Sequence, residues 1–358
     1  MPVGPNLAET PRCAKIRKLS EAFIYVLLLF FVYPIWLKND EIIFKKYLQD
    51  FNKSYENDTV YQQRFKAFKQ SLENIEILNN NRSNDSATYG LTKYSDLFPE
   101  EFFNSRLILK LPDYISNNYT NKKSANNHTA KKRSLQKVKY HIPKKLDYRE
   151  KGVLSEVQTQ GSCGACWAFS VIGIIETMNA LKRDKFTKLS VQQMIDCSEF
   201  NYGCDGGDIC SLLNWLTSFN IKILPEKIYP LTWETENCKL LDDDEDGVQV
   251  EDFGCDSFEN EEDIMLYLLA NLGPLAVSIN AQSWQHYIGG VIQYHCDGNM
   301  LELNHAVQIV GYDLTSPVPY YIVKNSWGTD FGDEGYLYIA IGNNICGLAH
   351  EVASVIVL

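Results

Sequence analysis

Between residues 38 and 103, Phe65, Phe68, Leu72, Ile75 and Leu78 recur at three- and four-residue steps, with charged or amide residues between them. That spacing keeps one face of an α-helix apolar, and it predicts an amphipathic helix of several turns packed on its stripe. From Ser105 to Lys139 the period disappears. The stretch NNYTNKKSANNHTAKKRSLQK is polar and carries the basic run Lys131, Lys132 and Arg133, which predicts a flexible linker open to cleavage. Beyond residue 140 helical runs are expected from about Cys166 to Leu181, Val191 to Met194 and Asp208 to Phe219. Strand-length apolar runs follow at Pro274 to Ile279, His305 to Tyr312, Tyr320 to Lys324, Gly335 to Ala340 and Val352 to Leu358. Helices first and strands later give an α+β protein in two lobes. The acidic tract Asp242 to Asp246 reads as a solvated loop.

The amino end changes the compartment. Lys15, Arg17 and Lys18 precede the apolar run Ala22 to Leu37, which is short for a membrane span and is broken at Pro34. Residues 1–37 therefore read as a signal peptide or signal-anchor, with no stable membrane span once a signal is removed. Ten cysteines occur, and setting aside Cys13 in the leader leaves nine. In an oxidising compartment an odd number implies several disulfides and one free thiol, which is then a candidate nucleophile. Six Asn-x-Ser/Thr sequons, at Asn52, Asn57, Asn81, Asn84, Asn118 and Asn127, mark glycosylation of the first part, and none follows residue 130. Charge divides at the same place. Residues 38–140 carry 18 basic against 12 acidic side chains, and residues 141–358 carry 12 against 31. A net charge of −19 on the second part argues against nucleic acid as a partner.

The decapeptide GSCGACWAFS, Gly161 to Ser170, sets Cys163 and Cys166 three positions apart. A structural zinc site would need a second such pair, and none is present. Dithiol–disulfide exchange stays open as an alternative, since the start of a helix lowers a thiol pKa. A thiol hydrolase needs its sulfur at a helix start and a histidine arriving from elsewhere. Cys166 meets the first condition, and Gly164 and Ala165 leave room for a substrate backbone.

Three blocks then carry a resemblance: Gln160 to Ser170, Asn304-His-Ala-Val307, and Lys324-Asn-Ser-Trp-Gly328 are similar to the active-site blocks of papain-family cysteine proteases. The likeness covers nearly everything from about residue 40. It implies a papain-like two-lobed α+β fold, with a helical left lobe and a β-barrel-like right lobe. Residues 38–104 would form a helical inhibitory propeptide, 105–140 a flexible linker with the activation cleavage region, and 141–358 the catalytic domain. Carried over by position, Cys166 is the nucleophile, His305 its base, Asn325 the group that orients the histidine, and Gln160 an oxyanion donor. The other histidines lack the Asn-His-Ala-Val context and have ordinary roles by default.

The same resemblance pairs Cys163 with Cys204, Cys197 with Cys238 and Cys296 with Cys346; parity then joins Cys210 to Cys255. It assigns the substrate cleft to Gly164, Gly207, Asp208, Ile209, Ser278, Ala306, Trp327 and Glu351. Glu351 either pairs with a basic substrate side chain at the floor of the main pocket or faces solvent. In the prosegment, Arg64-x3-Phe68, Ile75-x3-Asn79 and Gly90-x-Thr-x-Tyr-x-Asp96 resemble propeptide motifs of the family. Val60, Ser71, Thr92 and Tyr94 depart from them. The implied protein is a monomeric lysosomal or secreted cysteine endopeptidase made as a zymogen, needing no cofactor or metal. Its partners would be protein and peptide substrates, its own propeptide and cystatin-type inhibitors. A papain-like protein that binds without catalysis is the non-enzyme alternative.

Overall fold

A computed structural model of the chain describes residues 33–80, 85–107, 109–110, 142–239 and 247–358. Most of the leader, the basic run at 131–133, the tract 242–246 and the sequons at Asn81, Asn84, Asn118 and Asn127 lie outside these residues. Two compact units divide at Gln70 and Ser71.

The first unit holds α1 (Tyr33–Asp50) and the start of α2 (Asp58–Asn79). Asn57 caps α2 by accepting the Val60 N–H at 3.0 Å. The Phe65 and Phe68 stripe lies on this helix, as its period predicts. It meets a second set of rings on α1: Phe44 lies 5.2 Å from Phe65 and 4.9 Å from Phe68, and Tyr47 lies 4.9 Å from Phe68. Such offset and edge contacts favour a fixed helix crossing.

The second unit continues through β1 (Thr88–Tyr89), α3 (Pro99–Arg106), β2 (Lys145–Asp147), α4 (Cys166–Arg183), α5 (Val191–Cys197), α6 (Ile209–Ser218) and β3 (Lys222–Ile223). Next come β4 (Val248–Asp256), α7 (Glu262–Asn271), β5 (Leu275–Ile279), β6 (Tyr287–Gly289) and β7 (Val291–Ile292). The chain finishes with β8 (His305–Asp313), β9 (Tyr320–Lys324), β10 (Tyr336–Ala340) and β11 (Val352–Val357). Nine strands form one sheet in the order β3-β4-β11-β5-β8-β9-β10-β7, with β2 paired on β8. Its described ends, β3 and β7, do not pair with each other, so the sheet is open where a barrel-like lobe was expected.

Two cores flank α4. One gathers Trp167, Ile172, Ile175, Met194, Leu212 and Trp215 from the helices; the other gathers Leu275, Ile309, Tyr312, Tyr321, Val323 and Ile339 from the sheet. Because α4 is buried on nearly every side, its apolar residues show no single stripe. Ser190 and Asp208 cap α5 and α6 by accepting the Gln193 and Ser211 N–H groups. Four disulfides join Cys163 to Cys204, Cys197 to Cys238, Cys210 to Cys255 and Cys296 to Cys346.

Candidate active site

Cys166 is the first residue of α4, and the preceding Ala165 offers no side-chain cap. The orphan N–H groups of a helix start are therefore free to face the sulfur. Those of Cys166 and Trp167, with that of Ala306, do so and favour the thiolate. Since Cys163 is bound to Cys204, Cys166 is the free cysteine among the described residues, without the partner that dithiol exchange requires. It is fully buried, and burial pushes its thiol up to about 12. Burial likewise pulls His305 down to about 4, against its hydrogen bond to Asn325, which acts to raise it. Both shifts favour an uncharged pair while water is kept out.

His305 opens β8 and Asn325 follows β9; the antiparallel pairing of the two strands brings them together. His305 Nε2–H donates to Asn325 Oδ1 at 2.8 Å, and the same oxygen accepts the Ser326 N–H at 2.9 Å. With Nε2 as donor, Nδ1 is left as the proton acceptor, buried and without a hydrogen-bond partner. Trp327 lies over the ring at 4.8 Å and 32°, and Trp284 stands edge-on at 6.0 Å. These rings shield the His305–Asn325 bond from water.

Gln160 is buried and held at both ends of its amide. Its Oε1 accepts from Ser326 Oγ at 2.7 Å, and its Nε2–H donates to the Cys163 carbonyl at 3.1 Å and to the Arg106 carbonyl at 3.4 Å. The carbonyl of Arg106, 54 residues earlier in the chain, thus accepts from this amide. Further along, Leu109 N–H donates to Asn304 O at 3.2 Å and Lys110 N–H to Gly207 O at 3.0 Å, and Leu109 bridges Gly207 in parallel register. Tyr94 and Phe102 stand edge-on to Trp327, which is wholly buried. The stretch expected to be linker from Ser105 therefore begins with structured residues: α3 runs through Arg106, and the backbone at 109–110 is hydrogen-bonded to Asn304 and Gly207.

Gly207 must be glycine for a steric reason. A Cβ there would come within 2.4 Å of Asn201 Oδ1 and 2.8 Å of Trp167 Cδ2, so a larger residue would displace the side chains that pack behind this backbone. Gly164 is fixed opposite by its N–H to the Cys204 carbonyl at 2.8 Å.

The residues expected to line the main pocket come from four places. Asp208 caps α6, Ile209 opens it, Ser278 on β5 pairs with Ala306 on β8, and Glu351 precedes β11. Of the two readings of Glu351, the solvent-facing one is overturned: the residue is buried, accepts a hydrogen bond from Ser278 Oγ, and has a carboxylate oxygen within 4.8 Å of one on Asp208. Burial first, then the Asp208 carboxylate, raises the Glu351 carboxyl well above its ordinary range.

Ser326, Asn304 and Trp284 also build this site and were not singled out by sequence reasoning. Ser326 and Asn304 lie inside the quoted blocks, so a signal existed for those two.

The described site sets a thiol at a helix start and an imidazole held by an amide beneath a covering segment of the same chain. Residues 142–356 match the model of the papain family cysteine protease, and residues 44–102 match that of the cathepsin propeptide inhibitor domain (I29). The chain belongs to the papain family of cysteine proteases, with a propeptide. It is 39% identical to human cathepsin O over 296 residues, covering 81% of this chain and 87% of the relative, and 39% identical to mouse cathepsin O over 299 residues, covering 83% and 91%. Among solved structures it resembles digestive procathepsin L2 proteinase from Tenebrio molitor larval midgut, with TM-score 0.74, 29% identity and coverage of 88% of this chain and 99% of that one.

Proposed function

We propose that Cys166, His305, Asn325 and Gln160 carry out peptide-bond hydrolysis once the prosegment has left the cleft. The observation that supports this most is the His305 ring, bonded through Nε2 to Asn325 with Nδ1 unpartnered, in the same buried site as a thiol at a helix start. The Cys166 proton passes to Nδ1 and the thiolate attacks the scissile carbonyl. Negative charge on that oxygen is met by the Gln160 Nε2–H and the Cys166 backbone N–H. The imidazolium then gives its proton to the leaving amine as the C–N bond breaks. Water, deprotonated by the same Nδ1, hydrolyses the thioester and restores the thiol.

The main pocket, lined by Asp208, Ile209, Ser278, Ala306 and Glu351, receives the second residue before the scissile bond. Two carboxyl groups in its lining suit a basic side chain there, because a guanidinium replaces the proton that burial and the Asp208 carboxylate favour on Glu351. Glu351 also borders a cavity of about 410 Å³ that Asn214, Asp256 and Met300 help to line. Binding of a cation by displacing a proton is favoured as pH rises, so the preference for arginine over leucine increases from acid towards neutral pH. Glu351→Ala is expected to lower that preference by about tenfold in kcat/KM. Fluorogenic dipeptides differing only at this position measure it, and an unchanged ratio contradicts the pocket assignment.

The working compartment is acidic and reached through the secretory pathway, in endosomes or lysosomes. The prosegment and linker are net positive and the catalytic part carries −19, so long-range attraction supports latency at neutral pH and weakens as carboxylates are protonated. Zymogen conversion is therefore faster at pH 4.5 than at pH 7, and added salt raises the neutral rate towards the acidic one. Equal rates at the two pH values contradict this.

A further inference from the structure

We propose that His286 is an acid-sensitive release point for the prosegment, a ring that stays covered by residues 90–97 only while it is neutral. His286 ends a 3-10 turn, Gln282–His286, on the catalytic side. The prosegment is fastened along this turn: Gly90 N–H donates to His286 O at 2.8 Å and Thr92 Oγ1 to Gln285 O at 2.6 Å. Gln285 Nε2 donates to the carbonyls of Tyr94 and Leu97, each at 2.9 Å. One residue on, Tyr287 pairs with Tyr89 across β6 and β1. Within this seam the His286 side chain is 2% exposed, its Nδ1 lies 3.4 Å from Ser95 Oγ, and its Nε2 is buried with no partner.

A neutral ring fits this place, with one nitrogen at Ser95 and the other bare. A protonated ring carries two N–H donors and a charge, and the seam supplies one acceptor for them. Charged side chains on the elements packed against it are Lys93, Asp96, Glu100, Glu101 and Arg106. Lys93 pairs with Asp330, Glu101 accepts the Phe98 N–H, and Arg106 lies over the Tyr94 ring. None of the five acts on the titration of His286, which burial alone lowers from 6.5 to about 4.

When the prosegment departs, water reaches the ring and its affinity for a proton returns towards the ordinary value. The covered ring has the lower pKa, so the covered state is fully favoured above about pH 6.5 and loses its advantage as pH falls towards 4. Between pH 7 and pH 5 the equilibrium for covering weakens by about twentyfold from this one group. Salt does not cancel the effect, because its cause is local burial; attraction between the net charges of the two parts is screened.

Wild-type and His286→Leu zymogens are converted by trace mature enzyme at high salt, and the ratio of wild-type to variant rate is followed with pH. The ratio rises by about twentyfold from pH 7 to pH 5, while the two mature enzymes hydrolyse a small substrate equally. A flat ratio overturns this proposal alone. A zymogen as active as its mature form overturns both it and the inhibitory role of the prosegment on which it rests. Imidazole NMR on the Cys166→Ala zymogen and on mature enzyme needs no change at His286. The ring titrates near 4 in the first and near 6.5 in the second; one shared midpoint overturns the proposal.

Discussion

Replacing Cys166 with alanine lowers kcat for peptide hydrolysis by at least about four orders of magnitude and leaves the fold intact. The sulfur is the only atom lost, and it sits where helix-start N–H groups favour its thiolate rather than where it closes a loop. Its neighbour in the same decapeptide behaves in the opposite way. Cys163→Ala opens the bridge to Cys204, which spans 41 residues, and costs about 2–5 kcal/mol of stability. The molecules that remain folded retain catalysis. Kinetics and thermal unfolding on the two variants separate these effects. Loss of stability without loss of turnover in Cys166→Ala contradicts the nucleophile assignment.

Gln160→Ala lowers kcat by about 10²- to 10³-fold with little change in KM. In the proposed mechanism its Nε2–H meets charge that exists only in the transition state, so ground-state binding hardly depends on it. Ser326 Oγ and the Cys163 carbonyl hold both ends of the amide, fixing it before substrate arrives. Ser326→Ala therefore causes a smaller loss of the same kind. Because Arg106 O accepts from the same amide, Gln160→Ala also loosens the zymogen at its cleft. Steady-state kinetics on the mature variant measure the first effect. A change confined to KM contradicts the oxyanion role.

Much of the catalytic part was legible because its elements obey local rules. The runs at 305–312 and 320–324 stand within a residue of β8 and β9, and the helix expected from Cys166 runs on two residues past Leu181. β4 and α7 were not legible. β4 alternates only at Val248 and Val250 before Glu251 and Asp252 turn to solvent, and its pairing with β11 is decided a hundred residues away. In α7 the run Ile264 to Ala270 is apolar without a helical period, and the two acidic residues before it do not separate helix from strand. At the site, the blocks gave Gln160, Cys166, His305 and Asn325, and the family resemblance gave Asp208 and Glu351, whereas the contacts those residues make across the chain left no local signal. Nothing local marks Glu351 as buried beside Asp208, or His286 as roofed by Ser95 from 191 positions earlier. The linker was misjudged at its start because Leu107 to Lys110 carry a weak apolar signal whose partner, the cleft, is assembled by tertiary structure.

In the proposed mechanism a single thiol, Cys166, performs the hydrolysis. Titration of mature enzyme with an epoxide inhibitor of papain-like thiols, read by peptide mass mapping, tests it most directly. One equivalent is expected to bind, all of it on Cys166, with activity falling in proportion and Cys163 unmodified without reductant. Full loss of activity with Cys166 unlabelled, or full labelling of Cys166 with activity retained, would contradict it.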